Sequence, residues 1–157
     1  MKITDIIDAR AVMPQLKALN KKQVLQDIAQ QLASLIAIDQ RIIFETLLTR
    51  EKLGSTGLGQ GIAIPHGRIP GLSRVTGLFA KLTPAIDYDA VDGKPVDLVF
   101  ALLSPDHAGA DHLTALAKIS RIMRTPAALA KLRASNTAEA LYAVLTEPVN
   151  TAPASAA

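Results

Sequence analysis

The chain has 157 residues, which suits one domain, and its 49% apolar content with only 3% aromatics requires an aliphatic core. A formal net charge of +3, with no basic run longer than two residues, does not fit a nucleic-acid binder. The absence of cysteine excludes thiolate chemistry, disulfides and the commonest structural zinc sites.

The two ends of the chain bear on its location and its domain bounds. Acidic residues stand near the N-terminus where a signal peptide would be apolar, and no apolar stretch reaches the length of a membrane span. We therefore expect a cytoplasmic protein with no membrane insertion. From Pro148 onward the residues are small and polar. This composition predicts one domain over 1–147 and a disordered tail over 148–157.

The first third of the chain predicts a strand and two helices. Residues 9–13 fit a short edge strand that ends before a proline. Asn20 can cap a first helix, in which apolar residues recur at helical spacing. Asp39 can cap a second helix, and Gly54 is suited to stop it. Arg50 falls in the last turn of that helix, where a cation suits the helix dipole.

The middle of the chain predicts strands. Three mainly apolar stretches carry this prediction, at residues 62–64, 75–82 and 96–103. The third is apolar on both faces, which is typical of a central strand covered on each side. Helices precede and follow these strands in a single chain of this size. We therefore predict a single three-layer α/β domain, with helices on both faces of the sheet.

The C-terminal part predicts three helices, over residues 110–124, over 126–133, and from a Thr137 cap to Leu145. For the first of these helices the spacing of apolar residues predicts a buried face. That face would be formed by Leu113, Leu116, Ala117, Ser120 and Met123.

A glycine-rich loop leads into the stretch Ile-Pro-His-Gly. The spacing of its glycines matches neither the dinucleotide fingerprint nor a Walker A loop, and a flexible connection remains an alternative to an anion-binding nest of amides. Pro65 should end regular sheet pairing, and Gly67 should allow a sharp turn. His66 would then stand on a stiff corner with no bulky neighbour.

Two histidines are candidates for chemistry. An imidazole can act as a neutral nucleophile near pH 7, so His66 is a candidate nucleophile, although a structural histidine is the alternative. His112 opens a predicted helix, where the dipole lowers a histidine pKa and attracts anions; a surface residue near a cap is the alternative. His107 is expected to be exposed and without a role. Its spacing to His112 and the lack of an H-E-x-x-H motif argue against a metal site.

Three segments resemble proteins of a known family. Residues 50–57 and 61–67 resemble the active-site segment of phosphotransferase-system (PTS) IIA proteins of the fructose/mannitol type, nitrogen-regulatory branch. Residues 89–103 resemble the approach and central strand of that family, and residues 111–113 resemble the start of the helix with its second histidine. The resemblance extends over residues 4–145. One departure is Gln60, where many relatives have asparagine.

The resemblance implies a mixed sheet between helices and a phosphohistidine chemistry. His66 would accept a phosphoryl group on Nε2, with Arg50 and His112 as its neighbours in the active site. No cofactor and no metal are implied. The residues expected to bind the phosphate are Thr56, Ser55 and Gly67. A shallow apolar platform for a protein donor would be formed by Leu58, Ile69 and Leu72.

The resemblance also implies partners. The phosphoryl donor would be a small HPr-like phosphocarrier protein (NPr), and the regulatory targets would include potassium-transport or sensor-kinase proteins. Three other functions stay open at this point. They are a sugar-specific IIA component of a fructose/mannitol-type permease, an interaction module without phosphotransfer, and a small metal-dependent hydrolase.

Overall fold

The computed structural model describes residues 1–147, and the predicted tail over 148–157 lies outside the described residues. The helices are α1 (Ile3–Ile6), α2 (Lys21–Leu35), α3 (Gln40–Lys52), α4 (Ala110–Ile122), α5 (Pro126–Ala134) and α6 (Ala138–Thr146). The strands are β1 (Ile7–Leu16), β2 (Gly57–Gly59), β3 (Ile62–Ala63), β4 (His66–Ile69), β5 (Thr76–Ile86) and β6 (Val96–Pro105). Together they form the predicted three-layer α/β fold.

The six strands form one mixed sheet in the order β1-β5-β6-β3-β2, and β4 also pairs with β6. Strand β6 runs antiparallel to β5 and parallel to β3 and β4. Every residue of β6 except Asp97 is buried. The prediction of a central strand is therefore confirmed, because only a strand covered on both faces can be apolar at successive positions.

Strand β1 lies at one edge of the sheet, as predicted, but it is longer than expected. It runs through Pro14 to Leu16, parallel to β5. An edge strand tolerates proline because one side of its backbone has no neighbouring strand to receive an amide hydrogen bond. The proline therefore does not end this strand.

Strands β2 and β3 form a hairpin whose two turn residues are Gln60 and Gly61. Both residues have positive φ, at 58° and 81°. This is the backbone of a type I′ turn, which favours asparagine followed by glycine. Gln60 therefore has a left-handed backbone conformation, which costs free energy because its Cβ lies too close to the following carbonyl oxygen.

Sheet pairing is interrupted at residues 64 and 65, between the end of β3 and the start of β4 at His66. It does not end at Pro65 as predicted, because β4 pairs with β6 in the same register as β3 and the Pro65 carbonyl oxygen accepts from the amide of Leu102 at 2.9 Å. The predicted sharp turn at Gly67 is wrong, since this residue lies within β4 opposite Leu103. A Cβ atom at Gly67 would lie 2.5 Å from Cγ2 of Thr46 on α3. Glycine is needed here for the close approach of strand and helix.

Side-chain caps begin three helices where the sequence predicted them. Asn20 accepts from the amide of Gln23 at 2.9 Å, and Asp39 accepts from the amide of Arg41 at 2.7 Å. Thr137 accepts from the amide of Ala140 at 3.1 Å. Each such cap stabilises its helix by about 1 kcal/mol.

The predicted buried face of α4 is largely wrong, although Met123, its last member and the C-cap of the helix, is fully buried. Its buried residues are His112, Ala115, Ile119 and Ile122, whereas Leu113 is 66% exposed. The observed set has regular helical spacing, but its first member is a histidine. Histidine is a polar residue by type, so a pattern of apolar residues alone indicates the neighbouring face of the helix.

Candidate functional site

His66 begins β4, directly after the break at Pro65. Its Nδ1 lies 2.8 Å from the carbonyl oxygen of Ile64. A carbonyl oxygen can only accept a hydrogen bond, so Nδ1 carries the proton and Nε2 carries the lone pair. The start of β4 thus fixes the position of this ring, and the carbonyl oxygen of Ile64 fixes its tautomer.

The surroundings of His66 favour the neutral ring. Burial lowers the pKa of His66, and the positive charge of Arg50 acts in the same direction. The hydrogen bond to Ile64 and the charge of Glu51 oppose this shift without reversing it. The ring is half-buried and uncharged near neutral pH, which are the properties of an available nitrogen nucleophile.

His112 lies beside His66, with 5.8 Å between the ring centroids. It is only 7% exposed, so the alternative of a surface residue near a cap is wrong. Burial lowers the pKa of His112, the positive charge of Arg68 lowers it further, and protonation of His66 would act in the same direction. The structure therefore brings together two uncharged imidazoles, one from β4 and one from α4.

Arg50 lies in the last turn of α3, where its guanidinium donates to the carbonyl oxygen of Gly54 at 2.9 Å. Arg50 and His66 line the same open cleft, which has a volume of about 180 Å³. Arg124 lines this cleft as well, and it is a cation that the sequence analysis did not single out. The cleft thus combines an uncharged imidazole with two guanidinium groups.

The apolar platform predicted around His66 is only partly present. Leu58 is 43% exposed and lines the cleft. Ile69 and Leu72 are buried, at 0% and 6% exposure, so their prediction is wrong. Ile69 is the last residue of β4 and points into the core. The apolar lining comes instead from Ile64 and from Leu116 on α4.

Glu51 forms a buried polar network that the sequence analysis missed. Its carboxylate accepts from the Thr56 amide at 2.7 Å and from the Thr56 hydroxyl. It also accepts from Tyr88 Oη at 3.2 Å and from Lys21 Nζ at 3.3 Å. Glu51 follows the buried Ile43 and Leu47 at intervals of four residues, and this spacing was the available signal.

The hydroxyls of Ser55 and Thr56 face protein partners. Thr56 donates to Glu51, and Ser55 donates to the carbonyl oxygen of Tyr88 at 3.1 Å. The amides of Thr56 and Gly57 are also bonded, to Glu51 and to Ser55 Oγ, so these two amides do not form the expected anion nest. Phosphate binding by Ser55, Thr56 and Gly67 stays a prediction.

Three further expectations concern the remaining surface. The His107 side chain is 79% exposed, and within residues 1–147 it bonds only to the adjacent Asp106. Within residues 1–147, no three His, Cys, Asp or Glu side chains are grouped so that they could hold a metal ion. No helix in that part of the chain is long and apolar enough to cross a membrane. The cytoplasmic location and the domain bounds stay predictions.

Comparison with known families and sequences identifies the family of this chain. The family model described as "Phosphoenolpyruvate-dependent sugar phosphotransferase system, EIIA 2" matches residues 5–147. The chain belongs to this EIIA family. A nitrogen regulatory protein of Bradyrhizobium diazoefficiens is 52% identical over 152 residues, which cover 97% of this chain and 99% of that protein. The nitrogen regulatory protein of Escherichia coli is 34% identical, with 96% and 93% covered.

Solved structures of EIIA proteins have the same fold. The nitrogen regulatory protein IIA-Ntr of Neisseria meningitidis superposes with a TM-score of 0.87 at 37% identity, covering 92% of this chain and 99% of that one. The mannitol IIA of Escherichia coli gives a TM-score of 0.74 at 18% identity, covering 88% and 97%. The predicted family and fold are thus both confirmed.

Proposed function

We propose that this EIIA chain is a phosphohistidine carrier and regulator, in which His66 accepts a phosphoryl group on Nε2. The donor would be a small HPr-like carrier (NPr) phosphorylated on a histidine of its own. The observation that supports this most is the hydrogen bond from His66 Nδ1–H to Ile64, because it leaves the Nε2 lone pair free.

The transfer needs no proton to leave His66. The Nε2 lone pair attacks the phosphorus atom, a new N–P bond forms, and the N–P bond of the donor breaks with its electron pair returning to the donor imidazole. Such transfers depend mainly on positioning and charge stabilisation. Arg50 carries a permanent charge and a fork of donors for the phosphoryl oxygens. Arg50 lines the same cleft as His66, so its charge lies where the phosphoryl group would be received.

The regulatory part of the proposal rests on the relatives. Several are called nitrogen regulatory proteins, and they match this chain over nearly its whole length. We propose that the phosphorylated and free forms bind regulatory targets differently, with potassium-transport and sensor-kinase proteins as candidates. The reason is electrostatic, since a phosphoryl group adds roughly two negative charges to the cleft.

A sugar-specific IIA component is the second candidate. A fructose-specific EIIA of Haloferax volcanii is 37% identical over 111 residues, covering 71% of this chain and 72% of that protein. If this chain has that function, it should pass its phosphoryl group to a IIB domain of a fructose permease. A regulator should show no such onward transfer.

The proposal is tested by mixing the purified chain with a phosphorylated HPr-like carrier and measuring intact mass. We expect one added phosphoryl group, mapped to His66 and lost in acid, which distinguishes a phosphoramidate from an ester on Ser55 or Thr56. His66→Ala should abolish the addition, whereas the control His107→Ala should not change it. Stoichiometric labelling of His66→Ala, or no labelling of the wild type by any such carrier, would refute the proposal and favour an interaction module.

A further inference from the structure

Ser104 lies on the central strand β6 beneath the second histidine. It is fully buried, and its Oγ lies 2.6 Å from Nδ1 of His112. Within residues 1–147, this is the one hydrogen bond that the Ser104 hydroxyl makes. The function described so far gives this serine no part.

The direction of the bond follows from the chemistry of a hydroxyl. A buried hydroxyl that does not donate loses the hydrogen bond that it would make in water, at a considerable cost. Since His112 Nδ1 is the acceptor within reach, the Ser104 O–H donates to it. Nδ1 must then carry a lone pair. Because burial lowers the pKa of His112 and the ring stays neutral, its single proton is on Nε2.

We propose that Ser104 is a positioning residue that holds His112 in the Nε2–H tautomer, so that His112 donates a hydrogen bond to the phosphoryl group carried by His66. This inference rests on the proposed function. The two imidazoles are then held in opposite tautomers by two different partners, a backbone carbonyl and a serine hydroxyl. One ring offers a lone pair to phosphorus, and the other offers a proton to oxygen.

A serine is suited to this position because the cleft must receive an anionic phosphoryl group. In the other tautomer, His112 would present a nitrogen lone pair to the anionic oxygens and repel them. A hydroxyl that donates to Nδ1 disfavours that tautomer without adding a charge, because in the other tautomer the buried hydroxyl would have no acceptor. The separation of 5.8 Å between the ring centroids keeps the second ring within reach of a group bonded to the first.

The tautomer can be measured directly on the full-length chain labelled with ¹⁵N-histidine. Long-range ¹H–¹⁵N correlation spectra report which ring nitrogen is protonated, and His112→Gln assigns the signals. We expect Nε2 of His112 to be protonated in the wild type, and Ser104→Ala to give a mixture of tautomers. A proton on Nδ1 in the wild type, or an unchanged tautomer in Ser104→Ala, would overturn the inference. This measurement needs no phosphoryl donor, so its failure is distinguishable from failure of the proposed function.

Transfer rates test the consequence for the reaction. We expect Ser104→Ala to slow phosphorylation of His66 about fivefold, the effect of one hydrogen bond. In a His112→Gln background the same change should have less than about a twofold effect, because Ser104 acts through His112. Ser104→Thr, which keeps the hydroxyl, should restore the tautomer. An equal slowing in both backgrounds would mean that Ser104 acts on the fold in general and would overturn the inference.

Discussion

Replacing Glu51 with glutamine removes one negative charge and one acceptor oxygen from the buried network behind the cleft. Oε1 accepts from the hydroxyls of Thr56 and Tyr88, and Oε2 accepts from the Thr56 amide and from Lys21 Nζ. Glutamine has one oxygen and one NH₂ group. Whichever way it is placed, two donors lose their acceptor and face another donor.

The magnitude follows from the burial of these groups. The Glu51 side chain is 2% exposed and that of Lys21 is 19% exposed, so water cannot replace the lost acceptor fully. Each buried donor left without a partner costs about 1–3 kcal/mol, and breaking a buried ion pair adds to this. Because the two hydroxyls can turn toward other acceptors, we expect Glu51→Gln to lower the free energy of unfolding by about 2–4 kcal/mol.

Helix α3 also contains a matched control. Glu45 pairs with Arg41 at 3.5 Å, but both side chains are largely exposed, at 64% and 83%. Glu45→Gln makes the same chemical change on the same helix and should cost less than about 0.5 kcal/mol. Both variants are measured by urea unfolding, with an unchanged m-value as the check on two-state behaviour. If both lose the same small amount, the assignment of a stabilising role to the buried network is wrong.

Three further predictions concern pH, a turn and a close contact. The pKa values of His66 and His112 are lower in the folded chain than in the unfolded chain, so the unfolded chain binds more protons as the pH falls through the ordinary histidine pKa. The free energy of unfolding, measured with urea, should therefore fall as the pH drops from about 7.5 to 5.5. The double variant His66→Gln/His112→Gln should show a smaller fall. Gln60→Asn should stabilise the positive-φ turn by about 0.5 kcal/mol, read from urea midpoints, and destabilisation would contradict the turn argument. Gly67→Ala should cost about 1–3 kcal/mol by thermal unfolding and be partly rescued by Thr46→Ser, which removes the clashing methyl; no rescue would exclude that contact as the cause.

The sequence predicted most elements because their signals are local. A side chain such as Asn20 or Thr137 caps its own helix within three residues. An apolar stretch such as residues 96–103 indicates by its composition that both of its faces are buried. The short strands β2 and β4 were missed, because a stretch of three or four residues that includes glycine is too short to show the alternation of apolar and polar residues typical of a strand.

The candidate site was predicted only in part, and its prediction did not depend on local helix or strand signals. The chemistry and position of the residues made His66 and His112 candidates, and the resemblance added Arg50 as their neighbour. The fold brings the two rings together and places Arg50 in the cleft beside His66. Apart from Arg124, which lines the cleft, the residues that the sequence analysis missed are buried polar residues that contact the site residues from the protein interior. Glu51 and Ser104 are ordinary polar residues in the sequence, and only their burial gives them importance.

By itself, the sequence determined the bounds of the longer helices, the central strand and the family. Helices and strands are properties of residues close together in the chain, and the family follows from motifs spread along it. The resemblance implied Nε2 of His66 as the acceptor, but only the tertiary structure showed which groups set the tautomer of each imidazole. These groups are a carbonyl oxygen two residues from His66 and a hydroxyl eight residues from His112. Hydrogen-bond partners of this kind are set by distance and burial, and no spacing of residues encodes them.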